Sequence, residues 1–511
     1  MTRQQFLRLL AGGSLGSMAV PSAYPQQGGS GTSGQRPPAY PSGVTRAVTA
    51  FIDTTRFDTI PEKAIVEAKR CLIDGLGVVL AGATVHGSAI VREYIKASDS
   101  GRGRSDRPDA QPSATILGAE KISATAAHAA LANGASGHAM DYDDTQLSST
   151  PDRVFGLLTH PTVPVLAASL AVGERLGVSG RTFLEAFLTG FEVECKIAEA
   201  INPDHYLRGF HSTGTMGTFG GAASAAKLLK LTPAQTAHAL GIAASMSSGI
   251  RVNFGSMTKP LHAGRAAENG VTAAELASRG FTAGDEALDG EWGFFRVFGG
   301  GADVARIAAT LGKPYSIVDP GISFKPYPCG SLGHPTMDAM LKLVTDHDVK
   351  PDQVVRARVR AGSNILNPLR YKTAKTELEA KFCLPFMMSA IVLRRRAGIR
   401  EFTDEFVASA PVQAMMTRVE TVFDRDIEAR GFDKMRSIVE VDLQDGRTLK
   451  QASDERYRGG PENPFTRADL HAKFTDCASL VLSADRIRRA LETIESVEKL
   501  ANVRELAQAL S

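Results

Sequence analysis

From Val44 to Leu311 the pattern is helical, and many of its helices are rich in alanine and glycine with few charges. Such helices have no strongly polar face to offer water, so the chain must bury them against one another in a bundle. With 49 glycines and one tryptophan, the packing is expected to rest on small residues. Ser123 is placed to cap an Ala-rich helix running toward Gly134. Thr232-Pro233-Ala234-Gln235 combines a capping box with proline at the first helical position, ahead of a helix through Met246. Thr182 to Ile201 sets Phe183, Phe187, Phe191 and Ile197 near helical spacing. No apolar run in this region is long enough for a membrane span.

The character changes after Lys313. Val354 to Val359 alternates as a strand, as does Ser437 to Leu443, and Asp445-Gly446 offers a tight turn into Arg447-Thr448-Leu449. Leu378 to Arg396 between them reads as helix, and Ala484 to Leu510 returns to a helix with charged faces. The expected fold class is mainly α: a large all-α helical domain plus a smaller α+β lid domain. The expected boundaries are 1–43 for a leader and linker, 44–312 for the helical domain and 313–450 for the lid. Residues 451–511 are expected to pack back on the helical domain.

Composition narrows the function. Hydrophobic residues make up 43% of the 511 and charged residues 22%, enough to bury a core and exclude wholesale disorder. The balance of 58 basic against 55 acidic residues gives no global pull toward nucleic acid. Cys71, Cys195, Cys329, Cys383 and Cys477 are scattered, with no CxxC pair, which argues against a disulfide scaffold and a structural zinc site. The segment from Met1 to Val20 carries Arg3 and Arg8 ahead of the apolar run Leu9 to Val20, the layout of an export signal. It is similar to a twin-arginine signal with Gln4 in place of the second arginine. Periplasmic and cytoplasmic locations both stay open. Gly12-Gly13-Ser14-Leu15-Gly16 matches a nucleophile elbow only formally, since no strand precedes it. Pro21 to Gly43 reads as a Pro/Gly/Ser linker.

Five motifs can carry chemistry. His138-Ala139-Met140-Asp141-Tyr142-Asp143-Asp144-Thr145 holds three carboxylates that need cations, a metal or solvent. Asp141 and Thr145 would share a helical face. The plain alternative is an acidic helix end facing water, and a magnesium reading would require a second acidic cluster, which the sequence lacks. His160-Pro161 reads as a turn. Gly209-Phe210-His211-Ser212-Thr213-Gly214-Thr215 precedes a Gly/Ala-rich helix whose exposed amides suit a carboxylate. Lys259, His262 and Arg265 fall within seven residues at a helix start, among apolar or small neighbours. The loop Phe324-Lys325-Pro326-Tyr327-Pro328-Cys329-Gly330-Ser331-Leu332-Gly333-His334-Pro335 presents Lys325 and His334, and offers Cys329 no local base.

Together and in this order, HAMDYDDT, THPTVPVLAASLAVGE, GFHSTGT, TKPLHAGRAAENG and FKPYPCGSLGHPTMDA resemble the MmgE/PrpD family from Val44 to the C-terminus. The resemblance implies a large helical domain with an α+β lid, a homodimer, a cofactor- and metal-independent lyase, and a small di- or tricarboxylate substrate. Nucleic acid is not implied as a partner. It also implies catalytic roles for Asp141, His160, His211, Lys259 and Lys325. Thr145, His262, Arg265 and His334 follow as substrate-binding candidates. The family's decarboxylases carry a histidine where Gly330 stands here, and their segment matching 145–160 is shorter. Both departures place a 2-methylcitrate dehydratase-like hydro-lyase ahead of cis-aconitate-type decarboxylation. Epimerisation of an amino-dicarboxylate is a further alternative, and a carboxylate-binding protein without activity is the non-enzymatic one. In the expected reaction the lysines clamp substrate carboxylates and a histidine moves the proton, with Asp141 as its partner.

Overall fold

The computed structural model describes residues 43–99, 113–118, 122–147, 159–301 and 304–511. The segments expected to form a leader and a linker lie outside the described residues, up to residue 42. Ser148, Ser149, Thr150, Pro151 and Arg153, in the segment expected to be longer than in the decarboxylases, lie outside them too.

The chain is mainly α-helical, with a small sheet part. Its helical half is built on α1 (Glu62–Gly82), α2 (Ala126–Ala139), α3 (Thr162–Leu176), α4 (Gly180–Ile201), α5 (Ser212–Leu228), α6 (Pro233–Met246) and α7 (Thr258–Ser278). Every residue of α2 from Ala129 to Ala139 is buried. Small side chains make this possible. A Cβ on Gly134 would stand 2.8 Å from the Cα of Gly264, so the α2–α7 crossing is backbone against backbone. That approach brings the C-terminal end of α2 alongside the N-terminal end of α7, where Lys259 and His262 stand.

Thr232 and Gln235 form the expected capping box, and α6 runs through Met246. The Ala-rich helix α2 is instead capped by Thr125, whose Oγ1 accepts from the His128 amide at 3.3 Å. Ser123 belongs to a short strand, Ile122–Ala124, paired antiparallel with Ala114–Ile116. These two strands, β1 and β2 in chain order, carry no alternation long enough to be read.

The second half contains α8 (His334–Asp346) and a four-stranded sheet of β3 (Val354–Ala361), β4 (Val419–Phe423), β5 (Ser437–Leu443) and β6 (Thr448–Ala452). The spatial order is β4-β3-β5-β6, with β3 parallel to β4 and antiparallel to β5. The single helix expected over 378–396 is broken into Glu377–Ala380 and α9 (Leu384–Arg394). Pro385 restarts the helix, and the freed carbonyls of Lys381 and Phe382 accept from Gly330 and Tyr371. Residues from Arg467 onward return to the helical half: α10 (Arg467–Ala478) lies against α1, with Phe474 close to Gly77. The helix expected over 484–510 stops at Glu495. Leu500 and Val503 then pair with the backbone of Gly180 and Val178. Among the described residues no single helix is long and apolar enough to cross a membrane.

Candidate active site

Three isolated backbone bridges draw distant motifs together. Thr145 pairs with Ser323, which brings the acidic motif to the Lys325 loop. Gln146 pairs with Thr159, which brings Thr145 to His160. The His211 amide donates to the carbonyl of Gly249 at 3.0 Å, setting His211 as the residue before α5. The helix expected to continue through Thr145 stops at Ala139. Asp141 lies in the left-handed region with φ 51°, so it shares no helical face with Thr145.

Asp141 is the hub. Lys259 donates to its Oδ1 at 2.7 Å, and Lys325 donates to the same oxygen at 2.5 Å and to its carbonyl at 3.0 Å. Oδ2 of Asp141 has no hydrogen-bond partner among the described residues. Beside this triad, the rings of His138 and His160 lie 4.8 Å apart and those of His138 and His211 5.4 Å apart. His138 shares its Nδ1 with the Asp143 carboxylate at 2.8 Å. Nδ1 of His160 lies 2.8 Å from the carbonyl of Asp144 and 3.1 Å from Thr145 Oγ1. His211 and His262 face each other through their Nδ1 atoms at 3.0 Å. Nε2 of His138 and of His211 have no partner. Asp141, His160, His211, Lys259 and Lys325 are each at most 4% exposed.

Burial governs the electrostatics. It would raise Asp141, but Lys259 and Lys325 outweigh it and hold the carboxyl well below its usual range. Burial lowers Lys259, with Asp141 opposing. The ammonium lies 5.2 Å from the ring centres of both Phe254 and Phe382, apolar neighbours that strengthen its attraction to the carboxylate. Burial also pushes His138, His160 and His211 down, which favours their neutral forms. His262 falls to about 4 for the same reason, with His138 adding to it. Asp144 goes the other way, to about 8, through burial and the nearby Asp74.

The five residues expected to act in catalysis therefore meet in one buried cluster, with Thr145 and His262 touching it. Two expected members do not join. Arg265 is exposed and pairs with Glu268 one turn further along α7. His334 lies one layer behind Lys325, its Nδ1 held by Tyr457 at 2.6 Å and its Nε2 by the Cys329 carbonyl at 3.1 Å. With both nitrogens engaged it cannot stand in for the histidine absent at Gly330. A Cβ on Gly330 itself would stand 2.8 Å from Leu369.

Other participants were not singled out from the sequence. His138 and Asp143 lie inside the first motif, yet His138 gave no sign of its own because alanine and glycine surround it. Lys473 donates to the carbonyls of Tyr142 at 2.7 Å and Lys325 at 3.0 Å while paired with Asp74 at 2.6 Å. It thereby ties together the two loops that hold Asp141 and Lys325. Lys381 donates to the Ala139 carbonyl at 3.0 Å. Neither lysine lies in a recognisable motif.

The acidic motif does not face water: Asp141, Asp143 and Asp144 are all buried. Nor are its carboxylates gathered for magnesium. Asp141 holds the lysines, Asp143 holds His138, and Asp144 accepts from Thr162 Oγ1 at 2.5 Å. Cys329 is fully buried and its thiol is pushed well up, which suits a packing residue rather than a nucleophile.

A fold of this kind, closing lysines, imidazoles and one carboxylate into a single cluster, defines a class that sequence comparison identifies. The MmgE/PrpD N-terminal domain matches residues 46–307 and the MmgE/PrpD C-terminal domain matches residues 327–499. The chain belongs to the MmgE/PrpD family. It is 27% identical over 467 residues to the cis-aconitate decarboxylase of Homo sapiens, covering 89% of this chain and 92% of that protein. It is 24% identical over 501 residues to the cis-aconitate decarboxylase of Aspergillus terreus, covering 92% and 96%.

Proposed function

We propose that this chain is a lyase of small polycarboxylates, with cis-aconitate as the first candidate substrate and decarboxylation as its reaction. The observation that carries the reading is the pair of buried ammonium groups, Lys259 and Lys325, meeting at one oxygen of Asp141. A di- or tricarboxylate that takes one of these lysines from Asp141 exchanges one carboxylate for another, so little desolvation is added on binding. Loss of carbon dioxide leaves an electron pair delocalised onto a neighbouring carboxylate. A lysine fixed at that oxygen stabilises the transition state more than the ground state. A nearby imidazole then delivers the proton to carbon. We assign this step to His160 or His211, whose rings lie beside that of His138. Relatives that span nearly the whole chain and bear the name cis-aconitate decarboxylase favour this reaction over dehydration.

Gly330 favours a second reading, a hydro-lyase of the 2-methylcitrate dehydratase type. The position offers no imidazole, and His334 is already engaged. Proton NMR of the purified protein with cis-aconitate and, separately, with 2-methylcitrate distinguishes the two. Formation of a terminal methylene with release of carbon dioxide supports decarboxylation. Collapse of the 2-methylcitrate methyl doublet into a methyl singlet on a double bond, with no reaction of cis-aconitate, supports dehydration.

A further inference from the structure

The imidazole cluster has a capacity that the proposed reaction does not call on. One nitrogen from each of His138, His160 and His211 lies within 4.8 Å of the others, and all three residues are buried. The tautomers are set by their neighbours. Asp143 accepts at Nδ1 of His138 and the Asp144 carbonyl accepts at Nδ1 of His160, so both protons sit on Nδ1 and both Nε2 atoms carry lone pairs. If His211 donates its Nδ1 proton to His262, its Nε2 is a third lone pair. Nε2 of His138 and of His211 and Oδ2 of Asp141 are buried without partners. A carboxylate behind a histidine is the arrangement that orients a metal-binding imidazole and raises its donor strength.

We propose that this cluster binds one borderline-soft divalent cation of the zinc, cobalt or nickel kind through His138, His160 and His211, and that the bound ion inhibits the enzyme. Three imidazoles suit such ions and not magnesium or calcium, which require an oxygen shell. The fixed charges permit it, since Lys259 and Lys325 are balanced by Asp141 and Asp143. Asp141 and Asp143, whose carboxylates group with His138, add negative charge beside the three rings. Binding breaks no covalent bond: the ion exchanges water for imidazole nitrogen, and His211 keeps its proton on Nδ1. Inhibition follows because the ion occupies the ring nitrogens that would otherwise take up a proton from solvent and deliver it to carbon. The binding half of the inference is independent of the proposed reaction, and only the inhibitory half rests on it.

The test is titration of the metal-free full-length chain with cobalt(II), followed by visible absorption and calorimetry, then displacement by zinc. The inference expects one cobalt per chain, with the intense visible bands of a low-coordinate nitrogen site. His138→Ala and His211→Ala should each weaken binding about tenfold or more. His471→Ala, which removes a histidine paired with Glu495 elsewhere, should leave it unchanged. Absence of the bands, or equal binding by all the variants, overturns the site. Should an alanine variant fail to fold, anomalous diffraction from zinc-soaked wild-type crystals decides: a peak among the three rings supports the site, and a peak elsewhere or none refutes it. Cobalt binding with undiminished turnover overturns the inhibitory half. Cobalt binding by a chain that turns over no polycarboxylate keeps the site and removes the reaction.

Discussion

Lys325 donates twice to Asp141, once to the carboxylate at 2.5 Å and once to the carbonyl of the same residue at 3.0 Å. The side chain and backbone of Asp141 are thus fixed together, in a left-handed conformation that few non-glycine residues adopt. Lys259 shares the same carboxylate oxygen, so the charge of one aspartate is divided between two cations. A divided partner is easier for a substrate carboxylate to replace than a dedicated one.

Removal of either lysine is expected to be costly. Lys259→Ala should lower kcat/KM for the substrate by about a hundredfold or more, because a desolvated charge-assisted contact is lost. Steady-state kinetics with cis-aconitate measures it. Turnover equal to wild type would place Lys259 outside the reaction.

Asp141→Asn keeps the shape and removes the charge. With two ammonium groups then facing one another, at least one should release its proton near neutral pH. Activity is expected to fall by about a hundredfold or more, with the alkaline limb of the pH–rate profile moving to lower pH. A profile with an unmoved limb would show that Asp141 does not set the charge of the lysines.

Asp144 predicts a pH dependence of stability. Its folded-state value of about 8 lies above the ordinary 3.8, so the native state retains a proton that the unfolded chain has released. The contribution is fully present below about pH 4 and is lost as pH rises through 8. Asp144→Asn, which keeps an acceptor for Thr162, should flatten the fall in melting temperature between pH 5 and 8. A wild-type slope in the variant would assign the dependence to other groups, Glu192 among them, since burial raises it to about 7.

Lys473 is expected to matter for stability as much as for activity. Lys473→Met leaves Asp74 charged and buried and frees the carbonyls of Tyr142 and Lys325, at a cost of about 3–5 kcal/mol. Adding Asp74→Asn to that variant should recover part of the loss, because the orphaned charge goes with it. Denaturant unfolding of the single and double variants checks this. Equal stability of the two would mean that Asp74 contributes nothing once its partner is gone.

What the sequence made legible depended on how local each signal was. The capping box at Thr232 and Gln235 and the alternation of Ser437 to Leu443 are complete within a few residues, and the structure matches both. The break at Lys381 follows from Pro385, which cannot donate to the carbonyl four residues before it and is legible in the sequence, whereas the Gly330 amide that takes that carbonyl lies about fifty positions away. The same limit applied to the site. Asp141, Lys259 and Lys325 were reached through motif order, whereas His138 and Lys473 act through partners that only folding supplies. Arg265 shares a motif with Lys259 and His262, but its guanidinium is exposed and pairs with Glu268 one turn on, a partner that proximity along the chain does not reveal.

The central claim is that Lys259 and Lys325 hold a carboxylate of the substrate beside Asp141. Proton NMR of cis-aconitate incubated with wild type, Lys259→Ala and Lys325→Ala tests it most directly. The expected result is loss of the substrate's vinyl signal with wild type and little or none with either variant, each variant retaining the wild-type circular dichroism spectrum. Equal consumption by all three proteins would contradict the claim.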